Sequence, residues 1–246
     1  MEVLFFYTMA DFSALDKLDL KAFFFDMDGV LFDSMPNHAK AWCTAFEDLG
    51  IHFTPYDAYM REGMTGTSTI YQAFTRQLGR DASEEECKRI YKVKCEIFES
   101  LPEAKPMPHV LEVLQTVQRA GLDIYIVTGS GQHSLFDRLN THFPNIFSRE
   151  KMVTAYDVKK GKPDPEPYLM ALKKGNFKAD QAIVIENAPL GVKSAVDAGI
   201  FTIAVNTGIL KDEELSKNGA DVIYHTMEEL LSNLPEIIAK AKKMNA

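Results

Sequence analysis

The sequence predicts an α/β fold, with a Rossmann-like parallel-sheet core and an inserted α-helical cap. Three observations lead to this prediction. Short apolar runs recur along the chain, helix-like stretches alternate with them from Leu122 onward, and the stretch from about Met35 to Met107 contains no good strand. Strands that alternate with helices indicate right-handed βαβ units and therefore a parallel sheet.

The core strands are predicted from the apolar runs. They are AFFF (Ala22–Phe25), LDIYIVTGS (Leu122–Ser130), KMVTA (Lys151–Ala155), QAIVIEN (Gln181–Asn187), FTIAV (Phe201–Val205) and DVIYH (Asp221–His225). The stretches HVLEVLQTVQRAG and APLGVKSAVDAG are typical of helices, and each ends in a glycine, a common helix stop signal. We therefore expect strands and helices to alternate through the second half of the chain.

The strand-free stretch is predicted to form the cap. HAKAWCTAFEDLG, STIYQAFTRQLG and SEEECKRIYKVKCEIFESL have the pattern of amphipathic helices, and Ser83 with a glutamate three residues later indicates a capping box. Prolines flank the stretch: Pro36 in front, and Pro102, Pro106 and Pro108 behind. We assign residues 1–34 and 106–246 to the core and residues 35–105 to the cap. The two linkers at one edge make a natural hinge.

Composition excludes several classes of function. The chain has 246 residues, 46% of them hydrophobic, and a net charge of −8, which disfavours binding to nucleic acid or to an anionic membrane. No apolar run is long enough to span a bilayer, and the N-terminal MEVLFFYTMADF is interpreted as an extension or edge element, not a signal peptide. Only three cysteines occur, without metal-type spacing, so we expect a cytoplasmic protein. No obligate protein partner is evident from the sequence.

Polar residues follow the predicted strands, where function collects in a parallel sheet. Asp26 and Asp28 follow the first strand, Thr128 and Ser130 end the second, and the fourth ends in a further acid. These residue types suit phosphoryl transfer. Asp26 can attack phosphorus, and Asp28 can protonate the leaving oxygen and then deprotonate water. Carboxylates repel a phosphate, so we expect Mg²⁺ between them.

Each residue also has an ordinary structural explanation. The D-x-D-G stretch could open a calcium loop, but an EF-hand needs glycine at position six and glutamate at position twelve, where this chain has Leu31 and Asn37. Asp26 could end a strand in a turn, Lys162 could be solvated, and Glu186 could be a helix N-terminal charge. The prediction rests on all of these residues occurring at consecutive strand ends.

Four stretches carry a resemblance to a known family. FDMDGVLFDS, VTGS, GKPDPEPY and IENAPLGVKSAVDAGI resemble the motifs of the haloacid dehalogenase superfamily, in the helical-cap branch near β-phosphoglucomutase and related phosphatases and pyrophosphatases. The resemblance implies Asp26 as nucleophile and Asp28 as acid and base. The substrate-binding residues it and the cap suggest are Thr128, Gly129, Ser130, Lys162, Glu62, Lys94 and Asn187. The metal ligands it implies are the Asp26 carboxylate, the Asp28 carbonyl oxygen, and the pair Glu186 and Asn187.

The sequence departs from the sugar mutases of this branch in the cap loop YMREGMTGTSTI. Glu62 stands where those mutases carry a lysine, and Gly66 where they carry an arginine. Asn187 stands where relatives often have aspartate, which leaves the metal site less negative. These changes favour a Mg²⁺-dependent phosphohydrolase acting on a small phosphate, with pyrophosphate a candidate. The alternative is a β-phosphoglucomutase. A non-catalytic phosphate-binding protein would need a lost nucleophile or metal ligand, and none is lost.

Two further cap residues remain open to interpretation. His38 precedes Trp42 by four residues near the hinge, where a histidine either packs or assists the general acid. Lys94 lies among apolar neighbours on the last cap helix. It belongs either to a solvated face or to the substrate site.

Overall fold

The structure, a computed structural model, describes residues 12–131 and 135–242. Within them a parallel sheet contains six strands, in the order β3-β2-β1-β4-β5-β6. The strands are β1 Ala22–Phe25, β2 Asp123–Val127, β3 Met152–Val153, β4 Ala182–Glu186, β5 Phe201–Val205 and β6 Val222–Tyr224. Every predicted apolar run contains one of these strands, so the predicted parallel sheet is confirmed. Most of the N-terminal stretch discussed above lies outside the described residues.

Both faces of the sheet are covered, which explains why its strands are continuously apolar. In β1, Phe23 and Phe25 belong to the largest apolar cluster of the core, while Phe24 belongs to a separate cluster. All three rings are fully buried. Successive side chains of a strand point to opposite faces, so the aromatic run anchors β1 between two layers of helices.

The stretch from residue 35 to residue 100 is described throughout and forms four helices. They are α1 Met35–Glu47, α2 Pro55–Met60, α3 Gly66–Leu78 and α4 Glu84–Ser100. They share an apolar cluster of their own, built on Trp42, Phe46, Phe74 and their neighbours. The capping box at Ser83 is present at the start of α4, as predicted. The helical cap is thus confirmed, whereas its bounds at residues 35 and 105 stay a prediction.

The remaining helices flank the sheet. They are α5 Val110–Arg119, α6 Leu135–His142, α7 Glu166–Gly175, α8 Pro189–Asp197, α9 Asp212–Ser216 and α10 Met227–Ala241. Gly121 and Gly199, which follow α5 and α8, have φ of 70° and 76°, the left-handed conformation that suits a helix stop. No helix in the described part of the chain combines the length and apolar character needed to cross a bilayer.

Arg138 of α6 contacts both chain segments that connect the core and the cap, one at Phe32 and one at Ala104. The Arg138 guanidinium lies 3.9 Å from the centre of the Phe32 ring in the first linker. The same side chain donates a hydrogen bond of 3.1 Å to the Ala104 carbonyl in the second linker. One side chain therefore contacts both connecting segments of the predicted hinge.

Strand order places β1 beside β4, with the chain leaving them toward opposite sides. Phe25 of β1 pairs with Ile185 of β4, and the Asp26 N–H donates to the Ile185 carbonyl at 3.0 Å. In open parallel sheets such a switch of direction leaves a crevice outside the carboxyl ends of the strands, where ligands bind. The residues that follow β1 and β4 lie at this crevice.

Candidate active site

Six polar side chains from the predicted motifs are buried at the carboxyl edge of the sheet. They are Asp26, Asp28, Thr128, Lys162, Glu186 and Asn187. A charged side chain is almost never buried without a partner or a function. Their contacts therefore decide what this edge of the sheet can do.

Lys162 links two of the carboxylates. Its ammonium donates hydrogen bonds to Asp26 Oδ1, to Glu186 Oε1 at 2.6 Å and to the Val127 carbonyl at 3.1 Å. Burial lowers the pKa of this lysine, but the two carboxylates outweigh burial and raise it above its usual range. Lys162 therefore stays charged, and the solvated explanation of this residue is wrong.

Glu186 has both carboxylate oxygens occupied by protein donors. Oε1 accepts from Lys162 and from the Tyr168 hydroxyl at 2.7 Å, while Oε2 accepts from the N–H groups of Asn187 at 3.0 Å and Ala188 at 3.3 Å. Gly191 makes room for this carboxylate, because a Cβ there would lie 1.9 Å from Oε1. In this arrangement Glu186 orients its neighbours, and Asn187 is the member of the pair with an uncommitted oxygen.

Two buried oxygens at this edge have no hydrogen-bond partner among the described residues: Asp26 Oδ2 and Asn187 Oδ1. A buried oxygen without a partner is costly, and a hard divalent cation is a ligand that would satisfy it. In the part of the chain that is described, no three His, Cys, Asp or Glu side chains are gathered as a metal site. The donor set fits Mg²⁺ through one carboxylate, one amide oxygen and backbone carbonyls, with water completing the shell.

The environment of Asp26 raises its pKa to about 7, with burial as the largest cause and the Glu186 and Asp28 charges as smaller ones. Lys162 opposes this rise. A cation beside Oδ2 would oppose it further, because a nearby positive charge favours the ionised carboxylate. The unpartnered oxygen is therefore the observation that favours a cation at this position.

Asp28 is held by a chain of polar contacts that reaches into the cap. The Ser34 hydroxyl donates to Oδ1, and His38 Nε2 lies 3.4 Å from the same oxygen. Lys94 Nζ lies 3.1 Å from His38 Nδ1. An ammonium can only donate, so Nδ1 accepts and Nε2 carries the hydrogen that faces Asp28.

These contacts determine which of the two side chains, Asp28 or His38, carries the charge. Burial raises the pKa of Asp28, but the charge and hydrogen bond of His38, the Ser34 hydroxyl and the Arg138 charge outweigh it and lower the pKa to about 2. Burial lowers the pKa of His38 more than Asp28 raises it. Asp28 is thus the anionic member of the pair.

Lys94 is buried, so its interpretation as part of a solvated face is wrong. Its ammonium lies 4.8 Å from the centre of the Phe98 ring and 5.6 Å from that of Trp42. Burial lowers the pKa of this lysine, whereas Cys95 and the carboxylates of Asp28 and Glu62 raise it. Lys94 thus places a positive charge inside the cap, facing the core carboxylates.

A cavity of about 500 Å³ lies between cap and core. Five predicted site residues line it: Asp28, Glu62, Lys94, Gly129 and Ser130. Burial and the nearby carboxylates of Asp28 and Asp26 raise the pKa of Glu62 well above its usual range. The cap glutamate therefore faces the core carboxylates across the cavity, as its position in the sequence suggests.

Thr128 and Lys162 lie outside that cavity, in a smaller one of about 70 Å³. Gly63 and Gly129 line both cavities. A Cβ on Gly129 would lie 3.3 Å from the Gly63 carbonyl oxygen, and a Cβ on Gly63 would lie 2.8 Å from Lys162 Cδ. The cap loop thus sits directly on the predicted phosphate-binding residues, and we call this position of the cap closed.

Three side chains of the site were not predicted from the sequence. Ser34 and Arg138 act on Asp28, and Tyr168 holds Glu186. Tyr168 ends the motif GKPDPEPY, so its place in that motif was an available signal. Ser34 closes the first motif, but only the fold shows that its hydroxyl turns back to Asp28. His38 contacts Asp28 and also packs on the Phe98 ring, so both interpretations of this residue stay open.

Known proteins similar to this chain include phosphatases of phosphorylated carbohydrates and of hexitols. The model of the haloacid dehalogenase-like hydrolases matches residues 20–199. Phosphorylated carbohydrates phosphatase of Thermotoga maritima is 30% identical over 224 residues, which cover 89% of this chain and 100% of that protein. Hexitol phosphatase A of Escherichia coli is 29% identical over 221 residues, with 85% and 93% covered. A solved structure from Bacteroides vulgatus, provisionally assigned as a β-phosphoglucomutase, has 54% identity, a TM-score of 0.88 and 92% coverage of both chains.

Proposed function

The chain belongs to the haloacid dehalogenase-like hydrolases, and from this we propose that it is a Mg²⁺-dependent phosphatase that forms an aspartyl-phosphate on Asp26. The observation that carries the proposal is the arrangement of that carboxylate. Lys162 holds Oδ1, while Oδ2 is buried without a partner at the carboxyl end of β1. A fixed carboxylate with one uncommitted oxygen suits both attack on phosphorus and contact with a cation.

The reaction would proceed in two steps. A carboxylate oxygen of Asp26 bonds to phosphorus while the bond to the leaving oxygen breaks, and Asp28, in its protonated form, gives its proton to that oxygen. Water then attacks the phosphorus of the aspartyl-phosphate, Asp28 accepts its proton, and Asp26 is released. Lys162 and the Thr128 hydroxyl would bind the phosphoryl oxygens. Bound Mg²⁺ would offset the repulsion between carboxylates and phosphate, held by Asp26, the Asp28 carbonyl and Asn187.

Two features of the cap support hydrolysis over mutase activity. A Cβ at Gly66 would lie 2.2 Å from Tyr91 Cδ2, so the arginine that mutases carry there has no room in this arrangement. Glu62 adds a negative group where mutases carry a lysine, which weakens the attraction for a second phosphate on a sugar. Both changes remove a cationic side chain that would bind the second phosphate of a bisphosphorylated sugar.

For the substrate, pyrophosphate is one candidate, because a compact anion that arrives with Mg²⁺ suits a cavity containing both Glu62 and the buried Lys94. A second candidate is a monosaccharide phosphate. The names of the relatives from Thermotoga maritima and Escherichia coli favour it, and a volume of about 500 Å³ would accommodate a sugar. The Bacteroides vulgatus structure keeps β-phosphoglucomutase as the alternative. We further propose a cytoplasmic enzyme that needs no protein partner.

The test is phosphate release with Mg²⁺ from pyrophosphate, a set of sugar phosphates and an aryl phosphate, beside a coupled assay for glucose 6-phosphate formed from β-glucose 1-phosphate. Release without isomer formation supports the phosphatase, and the preferred compound identifies the substrate class. Isomer formation without net release would replace the phosphatase with the mutase. The Asp26→Asn variant, assayed in parallel, identifies release that does not come from this site.

A further inference from the structure

Two tyrosines lie at the opening of the cavity, one on each side of the cleft. Tyr91 belongs to α4 of the cap, and Tyr156 lies in the loop after β3 of the core. Both line the cavity, yet they are 45% and 69% exposed. Side chains that are at once lining and exposed mark the boundary between the cavity and solvent.

The two phenols line one cavity from opposite sides of the cleft. Burial, Cys95 and the Tyr156 phenol, in that order, raise the pKa of Tyr91 to about 12. Tyr156 can act on Tyr91 in this way only across the cleft, since the two residues belong to different domains. In the closed position of the cap, the two side chains therefore border the same opening.

Each tyrosine ring lies close to a glycine. A Cβ at Gly66 would lie 2.2 Å from Tyr91 Cδ2, and one at Gly131 would lie 3.3 Å from Tyr156 Cζ. The Trp42 ring adds a further contact to Tyr91, with the ring centres 6.3 Å apart and tilted by 42°. Tyr91 is thus packed against protein, which disfavours it as a stacking platform for a sugar. The hydroxyl end of Tyr156 rests on Gly131 in the same way.

We propose that Tyr91 and Tyr156 determine specificity by limiting the length of the leaving group that the closed site accepts. The inference rests on the proposed phosphatase, because the leaving group extends from a phosphate held at Asp26. Pyrophosphate or a monosaccharide phosphate ends inside the cavity. A leaving group one sugar ring longer must pass between the two phenols, and the cap then fails to close.

The experiment compares glucose 6-phosphate with trehalose 6-phosphate, which differ by one sugar ring. The measured quantity is the ratio of kcat/KM for the disaccharide phosphate to kcat/KM for the monosaccharide phosphate. In Tyr156→Ala and in Tyr91→Ala the ratio rises by about tenfold or more over the wild type. Tyr91→Phe and Tyr156→Phe keep the rings and serve as matched controls, with ratios close to that of the wild type.

An unchanged or lower ratio in both alanine variants, with glucose 6-phosphate still hydrolysed, would overturn the size limit and leave the phosphatase intact. A selective loss on the sugar phosphates would instead identify the tyrosines as a binding platform and would also overturn it. Dissociation constants of both compounds, measured in the Asp26→Asn background, give the same comparison without turnover. If neither compound is bound or hydrolysed while pyrophosphate also gives no phosphate, the proposed function fails, and the inference fails with it.

Discussion

Asp26 is the single residue whose replacement tests the covalent mechanism. Asp26→Asn keeps the size of the side chain but removes the charge that attacks phosphorus, and we expect kcat to fall by at least about a thousandfold. Single-turnover phosphate release measures the loss. Circular dichroism and thermal unfolding serve as the control for folding, and Glu186 still faces the Lys162 ammonium in this variant. A folded variant with substantial activity would contradict the aspartyl-phosphate.

Asn187 is the amide proposed to hold the cation. Its Oδ1 is buried and unpartnered within the described structure. Asn187→Asp adds a full negative charge at that oxygen, so we expect the dissociation constant for Mg²⁺ to fall by about tenfold. Titration calorimetry with MgCl₂ measures the constant without substrate.

Asn233→Asp is the matched control for this change. It adds the same charge on α10, where the Asn233 amide donates to the Glu229 carbonyl at 2.8 Å. It should leave the Mg²⁺ affinity unchanged. Equal affinities in wild type and Asn187→Asp would argue against Asn187 as a ligand.

The sequence indicates the reacting residues better than it indicates those that support them. Asp26 and Asp28 stand out because carboxylates at the end of an apolar strand have no packing reason. Ser34 and Tyr168 are of residue types common everywhere, and their contacts depend on how a loop and a helix return to the site. Lys94 was ambiguous because its contacts with His38 and Trp42 depend on how α4 packs against α1.

Among the elements, the long periodic helices are those that the sequence predicts. The predicted cap helices correspond to α1, α3 and α4, whereas α2 was not predicted, because six residues are too few to show a helical period. A signal was available: Thr54 and Asp57 form a capping box around Pro55 at its start. β1 and β5 have the bounds of their apolar runs, whereas the other four strands are shorter than theirs.

The contact between the cap loop and the loop after β2 gives a prediction at the level of elements. In Gly129→Ala the new Cβ meets the Gly63 carbonyl oxygen at 3.3 Å, and the cap loop must shift to close. We expect kcat/KM to fall by between about fivefold and about a hundredfold. Hydrogen exchange of the amides of residues 61–66 should rise, because the closed position is less populated.

Gly161→Ala is the matched control, since its Cβ would meet Thr65 Cγ2 at 3.5 Å, an ordinary van der Waals contact. It should keep both the activity and the exchange rates of the wild type. Equal effects of the two alanine variants would mean that the close approach at Gly129 does not limit closure.

For the whole molecule, the sequence predicts the layers but not their arrangement. Alternating strands and helices indicate a parallel sheet, yet the strand order that brings β1 beside β4 follows from long-range packing. The position of the cap on the core could likewise not be predicted from the sequence. It depends on contacts between residues as distant along the chain as Gly63 and Gly129.

A cluster at the far edge of the sheet gives a prediction on global stability. His225, after β6, contacts Asp212 of α9 at 2.9 Å and Glu229 of α10 at 3.5 Å. The hydrogen bond with Asp212, followed by the acidic charges, raises the pKa of His225 above its usual 6.5 despite partial burial. Although burial raises the pKa of Asp212, its hydrogen bonds with Asn206 and His225 lower it below its usual 3.8.

The raised pKa of His225 means that its stabilisation is fully present below 6.5 and is lost as pH rises through the folded value. The lowered pKa of Asp212 means that its share is present above 3.8 and is lost as pH falls. His225→Asn should therefore reduce the free energy of unfolding more at about pH 5.5 than at about pH 8.5. Urea unfolding measures both values. A difference that grows with pH would contradict this assignment.

The loop between β5 and α9 joins the cap to the core more closely than the linkers alone. Leu210 of this loop belongs to the apolar cluster of the cap, and Tyr59 of α2 rests on Gly208. The Thr207 hydroxyl donates to the carbonyl of Gly29, the residue after Asp28, at 2.6 Å. A cap transferred from a relative by recombination would thus lack part of its own apolar cluster, because Leu210 lies outside the inserted segment. Successful exchange of caps within the family requires that residues 206–210 be inherited together with the insert.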